Sequence, residues 1–150
     1  MDQATLKQWV SDARLQGEED SDGFWLVVRG NLEVSVAYLA SEDLVVCFAP
    51  LRELAGLEDD QRTEVLAQAL ALNGVGSLPP ACALAYQEDG DVVYLLWQQS
   101  PEQLDSARFA NAFADFETAA AQAQEQLNGL LTENDTPFGD TRERDLVIKA

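Results

Sequence analysis

Residues 24–50 read FWLVVRGNLEVSVAYLASEDLVVCFAP, and the order of apolar and polar positions in this stretch decides the fold. Leu32, Val34, Val36 and Tyr38 alternate with Glu33, Ser35 and Ala37, the two-residue period of a β-strand. Gly30-Asn31 is a two-residue turn candidate joining that strand to the apolar run at 24–28. Residues 40–43 make a second turn before Leu44-Val45-Val46-Cys47-Phe48, and Pro50, which has no amide donor, is expected to end the ladder. The stretch predicts a three-stranded antiparallel meander.

With register set by the two short turns, Phe24, Leu26 and Val28 share a face with Glu33, Ser35, Ala37, Leu39, Leu44, Val46 and Phe48. The opposite face holds Trp25, Val27, Leu32, Val34, Val36, Tyr38, Val45 and Cys47. A half-exposed antiparallel sheet normally alternates apolar with polar, yet here both faces are largely apolar. Either helices cover both, or one face is left for an oligomer contact or a bound partner.

Outward from the meander, Leu6, Trp9, Val10 and Ala13 fall at i, i+3, i+4 and i+7, one stripe of a short helix with Asp2 as N-cap and Gly17 as stop. Residues 17–23, holding Glu18, Glu19, Asp20 and Asp22, read as an acidic loop. On the C-terminal side a second helix starts at Asp59 or Asp60, carries Val65, Leu66, Ala69 and Leu70 on one face, and stops at Asn73-Gly74. Apolar runs at 81–87 and 92–98 flank Asp89-Gly90, a strong hairpin signal. Ser100-Pro101-Glu102-Gln103 reads as an N-cap, an N1 proline and a capping-box glutamine. The long helix expected to begin there has Phe109, Phe113, Phe116, Ala120, Ala123, Leu127 and Leu130 along one seam. The fold class is therefore α+β, in the order α-β-β-β-α-β-β-α, with a twisted antiparallel sheet and helices packed on it. Residues 1–131 form one domain, and 132–150 form a flexible tail that ends in the strand-like run Leu146-Val147-Ile148.

Chemistry is sparse. The 150 residues contain no histidine, which removes Ser-His-Asp triads, Cys-His pairs and His-containing zinc sites. Cys47 and Cys82 lie in apolar strand-like runs with no CxxC spacing and read as reduced core residues. Glu18-x-Asp20-x-Asp22-Gly23 imitates the first half of an EF-hand loop, but Arg29 stands where the bidentate Glu belongs and a strand follows in place of a helix. No glycine pattern suits a nucleotide phosphate. No cofactor, no metal and no catalytic residue are expected, and the protein is not read as an enzyme.

The charge balance points the same way. Nine Lys and Arg stand against 27 Asp and Glu, a formal charge of −18. Such a surface repels nucleic acid and anionic membranes. No basic n-region precedes an apolar h-region, and no apolar run approaches the length of a membrane span, so a cytoplasmic location and no membrane insertion are expected. Hydrophobic residues at 47% suffice for a core, and high net charge keeps a protein with sticky faces in solution. A binding protein is the outcome.

Element order, size and acidity resemble the class I type III secretion chaperones of bacteria, the Tir-chaperone-like family, across residues 2–131. The residues that carry the likeness are Leu66-Ala67-Gln68-Ala69-Leu70-Ala71-Leu72-Asn73, similar to the family's Leu-rich helix ending in Asn. Ala83-Leu84-Ala85, Asp89-Gly90, Val93-Tyr94-Leu95 and the helix from Phe109 to Leu127 resemble its second hairpin and last helix. The resemblance implies a chaperone that holds the N-terminal chaperone-binding segment of one or more secreted effectors in extended form. It implies a homodimer, or a heterodimer with a sister chaperone, and the export ATPase as a further partner. Mapped onto this chain, effector contacts fall on Leu6, Trp9, Val10, Leu26, Val28, Val46 and Phe48. Dimer contacts fall on Leu66, Leu70, Cys82, Leu84 and Tyr86. The alternative is an acidic regulatory or nucleic-acid-mimicking inhibitor that binds a basic protein.

Overall fold

The computed structural model describes residues 1–74 and 76–134. Its elements are α1 (Gln3–Asp12), β1 (Gly17–Glu19), β2 (Trp25–Arg29), β3 (Leu32–Leu39), β4 (Leu44–Glu53), α2 (Asp59–Leu72), β5 (Cys82–Gln87), β6 (Val92–Gln99) and α3 (Ser106–Asn134). The strands form one antiparallel sheet in the order β1-β2-β3-β4-β6-β5. The α+β reading and the antiparallel meander hold, with β1 added at one edge.

The meander has the expected register: Leu26 opposes Ser35, and Ser35 opposes Phe48. Gly30, at φ 64°, makes the tight turn between Arg29 and Leu32. Val27, Val34, Val36, Val45 and Cys47 point to one side and are buried. Burial of this kind contributes about 1.5–3 kcal/mol for each large side chain. All three helices cover that inner side. α3 lies along β4, with α1 over β3 and α2 over β5. Phe109, Phe113, Phe116, Ala120, Ala123 and Leu127 all enter the core, as the 4-and-3 spacing predicts.

Four boundaries differ from the sequence reading, each for a local reason. First, α1 stops well before Gly17. Arg14 takes the left-handed conformation at φ 59°, and the amides of Leu15 and Arg14 donate to the carbonyls of Val10 and Ser11, the two bonds of a Schellman cap. Second, Gly17 belongs to β1 and not to a loop. A Cβ there would lie 2.6 Å from the Leu26 carbonyl oxygen, so the backbone approach needs glycine. The acidic turn that follows is held by the Asp20 carboxylate, which accepts from the amides of Asp22 and Phe24.

Third, β4 continues through Pro50 to Glu53 with a bulge between Pro50 and Arg52. The β3–β4 ladder has already ended at Ser35 and Phe48, so the missing proline donor breaks no bond on that side. Fourth, residues 101–103 form only a single 3₁₀ turn, closed by extended Leu104. The long helix starts at Ser106 under Asp105, whose carboxylate accepts from the Arg108 amide at 2.8 Å. At its far end α3 runs to Asn134, past the expected domain boundary at residue 131. Most of the expected tail, residues 135–150, lies outside the described residues.

Polar ties fix the ends of the sheet. Arg62 on α2 donates to both carboxylate oxygens of Asp91 at 2.7 and 2.9 Å and to the Leu54 carbonyl at 3.1 Å, while the Tyr86 hydroxyl donates to the same Asp91 at 2.7 Å. The guanidinium and the phenol hold the Asp91 carboxyl below the usual carboxylate range. Asp91 itself is left-handed, at φ 50°, in the loop between β5 and β6. One side chain thus joins a hairpin loop to the first turn of a helix. At the other side of the sheet, Arg29 on β2 pairs with Glu117 on α3.

Candidate binding face

Because the helices all sit on the inner side, the outer side of the sheet has no described element over it. The strand pairing sets a row across it: Leu26 beside Ser35, Ser35 beside Phe48, Phe48 beside Leu96, Leu96 beside Ala83. Around this row lie Val46, Tyr94 and Val92 from the neighbouring positions of the same face. The rings of Phe24 and Tyr94 stand edge-on to Phe48 at 6.1 and 6.4 Å between centroids, an arrangement favoured by the ring quadrupoles. Between these side chains runs a groove of about 360 Å³, with Leu39 at one end and Pro50 at the other. The described residues that line it include no charged side chain, and its polar members are Gln87 and Gln98.

Toward β1 the same face carries two more large aliphatic side chains. Leu26 is 42% and Val28 56% exposed, high values for large aliphatic side chains on a sheet. Glu33, opposite Val28, Glu18, opposite Leu26, and Glu53, opposite Val92, are acids of this face. A broad, partly open apolar surface of this kind, with its acids outside the groove, can accept the apolar side chains of an extended or helical segment.

The expected effector residues do not form one site. Leu26, Val28, Val46 and Phe48 do share the outer face. Leu6 and Val10 are a correction: both are buried under the inner side, at 0 and 2% exposure, because the stripe of α1 is the stripe that packs on the core. Trp9 is half-buried there and stacks on Phe109 at 6.0 Å. A full sheet thickness separates these three from the other four.

The expected dimer residues lie on α2 and β5, two elements in contact. Leu70 is 73% exposed and Tyr86 42%, while Leu66 and Cys82 are half-buried. Leu84 is a correction, since it is buried in the chain's own core. Burial pushes the Cys82 thiol up to about 11 and the fully buried Cys47 thiol higher still, so neither is a nucleophile at neutral pH.

The sequence reading missed Phe24, Leu39, Tyr94 and Leu96 as part of the groove. Alternation within 92–98 does put Val92, Tyr94 and Leu96 on one face, but only the placement of β6 beside β4 shows that it is the same face as Phe48. Among the described residues no group of three or more His, Cys, Asp or Glu could hold a metal ion, and no helix is long and apolar enough to cross a membrane.

Residues 18–124, which include β2 to β6 and the groove on this face, match the Tir chaperone protein (CesT) family. The chain belongs to that family. Its membership rests on the sheet, α2 and most of α3, and α1 lies outside the matched stretch. Solved structures agree on the fold. The Yersinia pestis type III secretion chaperone SycH, in complex with a fragment of YscM2, is 19% identical, with 81% of this chain and 98% of that chain covered and a TM-score of 0.56. The ExoT–SpcS complex from Pseudomonas aeruginosa gives 19%, 80%, 94% and 0.58. The fold also extends to YbjN, a proposed transcription regulator from E. coli, at 14% identity, 87% and 94% coverage and a TM-score of 0.66. No curated protein matches the chain by sequence. This CesT-family chain therefore shares the fold of the secretion chaperones, and one side of its sheet is left uncovered by the described residues.

Proposed function

We propose that this CesT-family protein is a class I type III secretion chaperone of the bacterial cytoplasm that binds the N-terminal segment of one or more effectors and keeps it extended for export. The observation that carries the reading is the uncovered apolar outer face. Leu26, Val28, Phe48, Tyr94 and Leu96 are exposed or half-exposed there in a strongly acidic chain. Solved relatives of the fold are complexes of this kind, ExoU with SpcU and HopA1 with SchA among them. Binding needs no chemistry from the chaperone, because affinity comes from apolar side chains entering the groove and from main-chain bonds at a free strand edge.

The protein acts as a homodimer or with a sister chaperone, joined through α2 and β5. Support comes from Leu70 and Tyr86, two large apolar groups exposed on adjacent elements. Energy for export comes from the export ATPase. The described residues form the chaperone domain, and the residues after α3 are an appendage to it.

Purification of the complete complex from the native bacterium, followed by mass spectrometry of what remains bound, tests the reading. An effector bound through its N-terminal segment, with that binding weakened by Phe48→Asp, is the expected result. A nuclease or another basic enzyme as the bound partner would establish the acidic inhibitor in its place.

A further inference from the structure

The groove on the outer face has a candidate occupant within the same chain. α3 passes the end of β4, where Asn128 accepts from Arg52 at 3.0 Å, and runs about 9 Å further to Asn134. Pro50 and Val92 line both the groove and the neighbouring cleft that contains Arg52. At Asn128, α3 thus passes on the inner side of the same end of β4 whose Pro50 lines the groove on the outer side. Eleven residues separate Asn134 from Leu146, enough for about 40 Å of extended chain, several times the thickness of a sheet layer.

Composition fits the same place. Leu146-Val147-Ile148 is an apolar run, β-branched at Val147 and Ile148, whose Leu146 and Ile148 would share one side if the run were extended. Arg142, Arg144 and Lys149 flank it, a third of the chain's nine Lys and Arg, against Glu143 and Asp145. With Asp140 the flanking charges balance, so an apolar segment without the chain's acidic excess is tethered to a protein of formal charge −18, on a tether whose effective concentration is on the order of millimolar.

We propose that Leu146-Val147-Ile148 docks in the outer-face groove of its own chain and shields Phe48, Tyr94 and Leu96 when no partner is bound. A partner must then displace it, so the apparent affinity of the groove falls by the fraction of time the segment occupies it. The docking needs no client and stands apart from the secretion role.

The test uses the full chain, wild type and Leu146→Asp/Ile148→Asp, with far-UV circular dichroism to confirm that both fold alike. The methyl resonances of Leu39, Val46 and Leu96 are expected to shift in the variant while those of core residues Leu6 and Val65 stay in place. Fluorescence of the apolar dye ANS is expected to rise about twofold as the groove opens. Unchanged groove methyls and unchanged dye binding would overturn the proposal. So would wild-type groove shifts that move toward the variant's on about tenfold dilution, since the occupant would then belong to a second copy. No client enters the experiment, so failure here leaves the chaperone reading intact, and loss of that reading leaves the docking intact.

Discussion

The side-chain amide of Asn73 donates to the Leu84 carbonyl at 2.9 Å and accepts from the Leu84 amide at 2.7 Å. Asn73 is the C-cap of α2, and Leu84 lies in the middle of β5, the last strand of the sheet. The cap of a helix therefore fills two main-chain positions that a further strand would use, at an edge that would otherwise be open to pairing. Free strand addition is directed away from this edge and toward β1.

Asn73→Ala should leave the Leu84 amide and carbonyl without these partners. A loss of about 1–3 kcal/mol in urea unfolding is expected, together with stronger concentration-dependent association in light scattering. Stability equal to wild type with no added association would show that the edge does not depend on Asn73.

Asp91 gives a dependence on pH. Its folded pKa is depressed, chiefly by the hydrogen bond from Arg62 and then by that from Tyr86. The stability it contributes is thus fully present above the unfolded carboxylate pKa of about 3.9 and is lost as pH falls through the lower, folded value. The melting temperature of Asp91→Asn should lie below wild type at pH 6, and the gap should close below about pH 3. A gap independent of pH would point to lost geometry and not to lost charge.

The two sides of the sheet should respond in opposite ways. Leu6→Ala removes a fully buried side chain and is expected to cost about 2–5 kcal/mol of stability. Leu26→Ser changes an exposed position and should shift stability by no more than about 0.5 kcal/mol, while weakening effector binding about tenfold, the order expected from one lost apolar contact in a groove. Urea melts and calorimetric titration with the effector segment separate the two effects.

Leu70→Glu places a charge at the most exposed apolar position of α2. If α2 and β5 join two protomers, light scattering should show a dimeric wild type and a monomeric variant with unchanged circular dichroism. A dimer that survives the substitution would move the interface elsewhere.

Much of the architecture was legible because turn chemistry and apolar period agreed. Gly30-Asn31 and Asp89-Gly90 announced two hairpins, and the Phe109–Leu127 seam announced a core helix. β1 was illegible because Gly17-Glu18-Glu19 has no apolar residue to show a buried face; it is a strand only through its pairing with β2. The start of α3 was misplaced because Ser100-Pro101-Glu102-Gln103 satisfies every capping rule, yet extended Leu104 interrupts the helix and Asp105 caps it. For the binding face, alternation in the meander correctly grouped Leu26, Val28, Val46 and Phe48. It could not tell which side the helices would cover, and the stripe of Leu6, Trp9 and Val10, equally apolar, went to the opposite side. Tyr94 and Leu96 needed the placement of β6 beside β4 across an intervening helix, which no local pattern encodes.

α1 and α3 meet through Trp9 and Phe109 and through the Ser106 hydroxyl, which donates to Asp12 at 2.9 Å. The first and the last described elements thus close one layer, with nearly the whole sheet between them in sequence. During synthesis the inner side of that sheet has only α1 and α2 to cover it, and its centre along β4 stays open until α3 has left the ribosome, so the native core cannot be completed from the N-terminus. Contacts of such long sequence separation make for slow folding and a prolonged aggregation-exposed interval. A nascent chain halted before residue 106 should therefore remain protease-sensitive, and the protein passes through its own period of needing protection before it can give any.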